Sequence, residues 1–106
     1  GALKDIVSTI QRLKREQMAL GYKVGILATD ETKDSYEDAI ILSVGSRKDT
    51  ASIAANFFSV LRCFDEEGAD IIFAESIEGK DLGHAVMNRL LKAAGYNVIF
   101  TGRMDN

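Results

Sequence analysis

The apolar positions of the chain change period from one stretch to the next. From Ala2 to Leu20, the residues Leu3, Ile6, Val7, Ile10, Leu13 and Met18 recur near three- and four-residue spacing, while Lys4, Asp5, Gln11, Arg12 and Arg15 lie between them. This predicts a helix with one apolar stripe, and Gly21 stands where a helix ends in a left-handed cap. Lys23 to Thr29 then switches to a short continuous apolar run, Val24-Gly25-Ile26-Leu27-Ala28. A run apolar on both faces predicts a central strand covered by helices, and Gly25 inside it leaves room for a helix to approach closely. Residues 32–38 are a polar connection with length for one helical turn, and Ala39 to Val44 reads as a second strand.

A second helix is predicted from Thr50 to Glu66, with Asp49 or Thr50 as its N-cap. Its stripe is Ile53, Phe57, Val60, Leu61 and Phe64, and Gly68 stops it. Phe58 lies roughly 100° off that stripe at helical pitch. Asp70 to Ala74 is a third strand. The loop Glu75-Ser76-Ile77-Glu78-Gly79-Lys80 follows, and Asp81 caps a third helix running to about Ala94, with Gly95 as its stop. Asn97 to Thr101 closes the chain as a short strand. The order α-β-β-α-β-α-β predicts a single α/β domain over residues 1–106. It is a Rossmann-like open, mostly parallel sheet of about four strands with three flanking helices and right-handed crossovers. Lys23–Thr29 and Asp70–Ala74 are its central strands. The connection between the first two strands is short for a crossover, which leaves an antiparallel pair open there.

Composition narrows the function. The net charge of −3 and pI near 5.1 argue against direct nucleic-acid binding, which calls for a basic surplus. Arg12, Lys14 and Arg15 form a small basic cluster diluted by Glu16, which reads as a solvated helix face. With Cys63 as the only cysteine, no intrachain disulfide forms, and a reduced, cytoplasmic location fits. No apolar run is long enough for a membrane span. The chain starts Gly1-Ala2 without Met, as after tag cleavage or in a piece of something longer.

Candidate chemistry is sparse. In an open α/β sheet, ligands sit outside the C-terminal strand ends. Two of those ends lead into helix N-termini that favour anions. Gly45-Ser46-Arg47-Lys48 is therefore a candidate phosphate cradle, with Gly79 and Gly83 as a second glycine-bearing loop. The competing reading is a plain turn with an N-cap, since neither a Walker loop nor Gly-x-Gly-x-x-Gly is present. One His (His84) and one Cys make no structural zinc site and no hydrolytic triad, so neither a metal ligand set nor a catalytic residue is assigned. On the third helix, Arg89 projects only about 60° from Val86. A charge on the apolar side must snorkel or meet a carboxylate. Asp65, Asp70 and Glu75 are the candidates, and Arg89 with Asp65 is the structural pair proposed. Met87 and Leu91 widen the apolar arc of that helix. With Phe58 they form a candidate docking surface for another domain, the alternative being contact with the first helix.

The stretch from Phe57 to Ala94 carries a resemblance. It joins an aromatic-rich helix ending Leu61-Arg62-x-Phe64-Asp65 to a Gly-Ala-Asp lead into a strand. The run Leu82-Gly83-x-Ala85-Val86-x-Asn88-Arg89-Leu90-x-Lys92-Ala93-Ala94 follows. Together these resemble the C-terminal domain of two-domain threonylcarbamoyl-AMP synthases, with fair matches also at Lys23 to Thr29 and Val44-Gly45-Ser46. The resemblance implies an accessory domain placed after a catalytic domain and a linker. That catalytic domain makes threonylcarbamoyl-AMP and pyrophosphate from threonine, bicarbonate and ATP, and the group then passes to an adenosine of tRNA. It implies a nucleotidyltransferase that uses ATP and Mg in its full-length form, with no cofactor in this chain. The domain alone is expected to be inactive. Its partners are expected to be the upstream catalytic domain and, indirectly, the tRNA-modification machinery. The expected role is docking on the catalytic domain and control of site closure. The alternative is a module that binds a nucleotide or effector.

Overall fold

The computed structural model describes residues 2–75, 95 and 98–101, and for a few of these the backbone alone. The elements are α1 (Ala2–Ala19), β1 (Val24–Ala28), a 3-10 turn (Lys33–Ser35), β2 (Ile40–Ser43), α2 (Thr50–Glu67), β3 (Ile71–Glu75) and β4 (Val98–Thr101). The four strands form one sheet in the order β2-β1-β3-β4. Every pairing is parallel: Ile26 lies opposite Ile41 and Phe73, and Phe73 opposite Ile99. The mostly parallel α/β class and the central position of the first and third strands are as the sequence predicts. The predicted third helix, residues 81–94, lies outside the described residues.

The antiparallel pair left open between the first two strands does not form. Residues 29–39 make a parallel connection without a full helix. Tyr36 from this connection is buried against the sheet, in the cluster built by Ile6, Ile10, Val24, Ile26 and Phe73. One buried aromatic thus covers the face that a crossover helix would otherwise cover. Asp38 takes a left-handed φ of 60° where the chain turns into β2.

The strand period of two sorts the core into two faces. Val24, Ile26, Ala28, Ile71 and Phe73 point toward α1. Leu27, Ile72, Ala74 and Val98 point the other way, where Ile53, Leu61 and Phe64 of α2 meet them. Gly25 falls on the α2 side. A Cβ there would stand 2.6 Å from Cδ1 of Phe64, so α2 sits as close as it does because residue 25 has no side chain.

Both of the described α-helices end on glycine. At the end of α1, Gly21 donates to the Met18 carbonyl and Tyr22 to that of Gln17, with Gly21 at φ 94°. This double return is a Schellman cap. Gly68 (φ 83°) ends α2 with bonds to the Asp65 and Phe64 carbonyls from its own and the next amide. Asp49 caps the N-terminus of α2 by accepting from the Ser52 amide and hydroxyl. Those two bonds, the hydroxyl first, hold its carboxyl below the ordinary carboxylate range.

Two readings of α1 need correction. Lys14, predicted on a solvated face, is only 4% exposed, because it continues the i, i+4 line of Ile6 and Ile10. Met18, predicted in the stripe, is exposed.

Candidate functional site

Among the described residues, a convergence of buried polar side chains lies at the C-terminal ends of β1, β2 and β3. Its centre is Glu75, the last residue of β3, which has no exposure at all. The sequence places Glu75 in a loop after a strand from Asp70 to Ala74; in the structure β3 starts and ends one residue later, at Ile71 and Glu75. Alternation then sends Glu75 to the same side as Ile71 and Phe73. The turn after β1 supplies its partners. Thr32 and Lys33 both donate their amides to the Thr29 carbonyl, and this brings the two threonine hydroxyls together at 3.1 Å.

Oε1 of Glu75 accepts from Oγ1 of Thr29 at 3.1 Å and from Nη2 of Arg47 at 2.8 Å. Oε2 accepts from Oγ1 of Thr32 at 2.5 Å and from the Tyr36 hydroxyl. A carboxylate has about four lone-pair sites, so these four donors fill it. Burial, and then the bond to Glu75, raise the Tyr36 hydroxyl far above the ordinary tyrosine range. Tyr36 therefore stays a proton donor to the carboxylate. A carboxylate engaged in this way is not placed to take a substrate proton; it fastens three strand ends to one another.

An outer layer of carboxylates covers this centre. Glu31 accepts from the Ser46 hydroxyl at 2.7 Å and from the Arg47 amide at 2.9 Å. The Arg47 amide first and the Ser46 hydroxyl second lower its pKa. Asp30 accepts from the Ser43 hydroxyl at 2.6 Å. The Ser46 hydroxyl also accepts from the Lys48 amide, and Gly45 takes the loop through φ 132°. The candidate cradle at Gly45, Ser46 and Arg47 is therefore a real loop at a helix start, and the donors of Ser46 and Arg47 face the protein's own Glu31. The Arg47 side chain turns inward to Glu75.

The remaining predicted residues divide sharply. Phe58 is 54% exposed on α2, its ring edge-on to Phe57 with centroids 5.2 Å apart. Asp65 is exposed on the same helix. Its proposed partner Arg89 lies outside the described residues, as do Gly79, Gly83, His84, Met87 and Leu91. Among the described residues, the arginine that meets a buried carboxylate is the partly buried Arg47, paired with Glu75. Sequence reasoning named both residues separately and missed that they meet. Thr29 is read only as the end of a strand, and Tyr36 and Thr32 carry no site assignment. The available signal was a lone aromatic in a polar connection and an acid directly after an unbroken apolar strand.

Other surfaces offer less. A groove on α1 is lined by Ser8, Thr9, Gln11, Arg12 and Arg15, crossed by an exposed Arg12–Glu16 pair at 3.3 Å. Cys63 is free and exposed. Among the described residues no group of His, Cys, Asp or Glu side chains is arranged to hold a metal ion, and no helix is long and apolar enough to cross a membrane.

Comparison with known proteins adds what the geometry alone does not. Residues 3–95 match the family model described as "Threonylcarbamoyl-AMP synthase, C-terminal domain". The chain is 42% identical over 90 residues to a threonylcarbamoyl-AMP synthase of Bacillus subtilis, a match covering 85% of this chain and 26% of that protein. It is 40% identical over 96 residues to one of Pyrococcus abyssi, covering 91% of this chain and 25% of the relative. A synthase of Schizosaccharomyces pombe is 34% identical over 84 residues, covering 76% of this chain and 20% of the relative. The chain thus spans about a quarter of the length of the curated relatives it matches. No solved structure is significantly similar to it.

Proposed function

The chain belongs to the family of threonylcarbamoyl-AMP synthase C-terminal domains, and from that premise we propose that it is the accessory domain of such a synthase, docking on the catalytic domain and limiting how far its site opens. The observation that carries the reading is the match of residues 3–95 to a C-terminal domain within relatives roughly four times as long. The catalytic domain joins threonine, bicarbonate and ATP, with Mg, into threonylcarbamoyl-AMP and pyrophosphate. The product serves threonylcarbamoyl transfer to tRNA in the cytoplasm. This chain supplies neither a catalytic group nor a cofactor ligand to that reaction.

Two features of the domain support docking. Phe58 is about half exposed on α2, apolar surface that the domain's own core does not use. Met87 and Leu91, the other docking candidates of the sequence, lie outside the described residues. The strand-end loop at Gly45–Lys48 is short, polar and tied down by Glu31, which suits the rim of a site better than a deep pocket. The product is a mixed anhydride that water destroys, so a domain that restricts opening protects it. Interfaces between domains of one chain are modest and mobile, as a lid requires.

The test is a truncation. A full-length synthase carrying this domain is compared with the same protein lacking it, following pyrophosphate release and free threonylcarbamoyl-AMP. Loss of the domain is expected to slow synthesis, or to let the intermediate escape and hydrolyse, while threonine and ATP still bind. Equal rates and equal retention of the intermediate refute docking. In that case a nucleotide or effector module at Gly45, Ser46, Arg47, Gly79 and Gly83 becomes the reading, tested by titrating nucleotides against the chain. The pure chain incubated with threonine, bicarbonate, Mg and ATP is expected to release no pyrophosphate.

A further inference from the structure

Residues 29–37 have little regular structure of their own. Their internal bonds are the Thr32 and Lys33 amides to the Thr29 carbonyl, the Ser35 amide to the Thr32 carbonyl and the contacts of the Thr32 hydroxyl with Thr29, around a 3-10 turn of three residues. Their pose is set from outside, by three neighbours. From α1, Nε2 of Gln11 donates to the Ser35 carbonyl at 2.9 Å, and Nζ of the buried Lys14 donates to the Glu37 carbonyl at 2.7 Å. From β3, Glu75 accepts from Thr32 and Tyr36. From the β2–α2 loop, the Ser46 hydroxyl and Arg47 amide reach Glu31. The Tyr36 ring, between these contacts, packs in the cluster of Ile6 and Ile10 of α1. The α1 helix and the β2–α2 loop are thus joined through one short segment and one buried carboxylate, which also holds Arg47 at 2.8 Å.

We infer that residues 29–37 are a strap that couples the position of α1 to the pose of the Gly45–Lys48 loop. A shift of α1 along the sheet moves the Ser35 and Glu37 carbonyls with Gln11 and Lys14. It draws Tyr36 and Thr32 from Glu75 and Glu31 from Ser46 and Arg47. Coupling of this kind is reciprocal, so a change at the loop returns to α1. The use made of it rests on the proposed accessory role. The family match takes in α1 from residue 3 onward, and on the proposed accessory role the catalytic part of a full-length synthase lies N-terminal to α1. Movement between the two domains then reaches the strand ends through α1 and the strap.

The experiment uses this chain alone, so its outcome is independent of whether docking occurs. Amide hydrogen exchange is measured in the wild type, in Lys14→Met and in Lys14→Arg. Lys14→Met is expected to speed exchange of the Ser35 amide. It is also expected to speed the Arg47 and Lys48 amides about fivefold or more, with the Leu61 amide in the middle of α2 unchanged. Lys14→Arg keeps a buried cation within reach of the Glu37 carbonyl and is expected to return most of the protection at Arg47 and Lys48. A role for Lys14 confined to holding the turn predicts faster exchange at Ser35 with Arg47 and Lys48 unmoved, and that result overturns the strap. Should Lys14→Met fail to fold, the milder Gln11→Ala is read the same way. In the reverse direction Arg47→Met is expected to speed exchange at Ser35, and an unaltered Ser35 amide contradicts the inference.

Discussion

At the C-terminal ends of β1, β2 and β3, a carboxylate with no exposure is met by four donors, and a second layer of carboxylates is tied to hydroxyls and amides above it. On the outer face of α2, Phe58 stays 54% exposed, its ring nearly perpendicular to that of Phe57. The first region spends polar groups on itself: both carboxylate oxygens of Glu75 are satisfied inside the domain. The second leaves apolar area unused. A buried, saturated polar cluster fixes how strand ends and loops sit, whereas exposed aromatic surface is where association gains free energy. The comparison separates the part of the domain that holds its own shape from the part available to a partner.

The contrast predicts that substitutions at the two regions differ in kind. The largest effect is expected from Glu75→Ala, which leaves the Arg47 guanidinium and three hydroxyls without their shared acceptor. The loss should be about 3 kcal/mol or more in a denaturant melt. A loss below about 1 kcal/mol would mean that the cluster rearranges freely and is not what fixes the strand ends. Next comes Tyr36→Phe, which removes one of the four donors and should cost about 1–3 kcal/mol near neutral pH. Its pH dependence is also fixed in sign. The Tyr36 pKa is raised in the folded state, so its contribution is fully present below the ordinary tyrosine value near about 10. It is lost as pH rises beyond that value toward the raised one. Wild-type stability should therefore fall above that point, and Tyr36→Phe should flatten the fall.

Much of the α2 side of this contrast was legible in the sequence. The 3.6-residue stripe separates Phe58 from Phe57, Leu61 and Phe64, and the structure buries Leu61 and Phe64 while exposing Phe58. Gly25, Gly21, Gly68 and Asp49 announced a close helix contact, two left-handed caps and an N-cap, each through local stereochemistry. The strand-end cluster was not legible as a cluster. Glu75 is separated from Thr29, Thr32, Tyr36 and Arg47 by 28 to 46 positions along the chain, and no local period relates an acid at one strand end to donors at another. The buried Lys14 failed for a related reason. Its partner is a backbone carbonyl, which no side-chain pattern reveals. The parallel first pair was obscured because one buried tyrosine replaced the helix that a crossover is expected to contain.

A smaller effect is expected from Glu31→Gln in the outer layer. Glu31 has a lowered pKa in the folded state, so its contribution is present above the ordinary carboxylate value and is lost as pH falls through the lowered one. Glu31→Gln should remove that part of the acid-side decline and leave stability near neutral pH less affected than Tyr36→Phe does. An acid-side profile identical to wild type would mean that its bonds to Ser46 and Arg47 do not persist in solution. The smallest stability effect is expected from Phe58→Ser, within about 0.5 kcal/mol in the isolated chain. A larger loss would show that Phe58 belongs to the core after all and would dissolve the contrast between the two regions.

The central claim is that the exposed face of α2 is covered when the domain is part of a synthase. Hydroxyl-radical footprinting of Phe58 measures this directly, with the isolated chain compared against a full-length synthase carrying it and the buried Tyr36 as internal reference. The account predicts a several-fold fall in Phe58 oxidation in the full-length protein, reversed by conditions that separate the domains, with Tyr36 protected in both. Equal oxidation of Phe58 in the two proteins would contradict it.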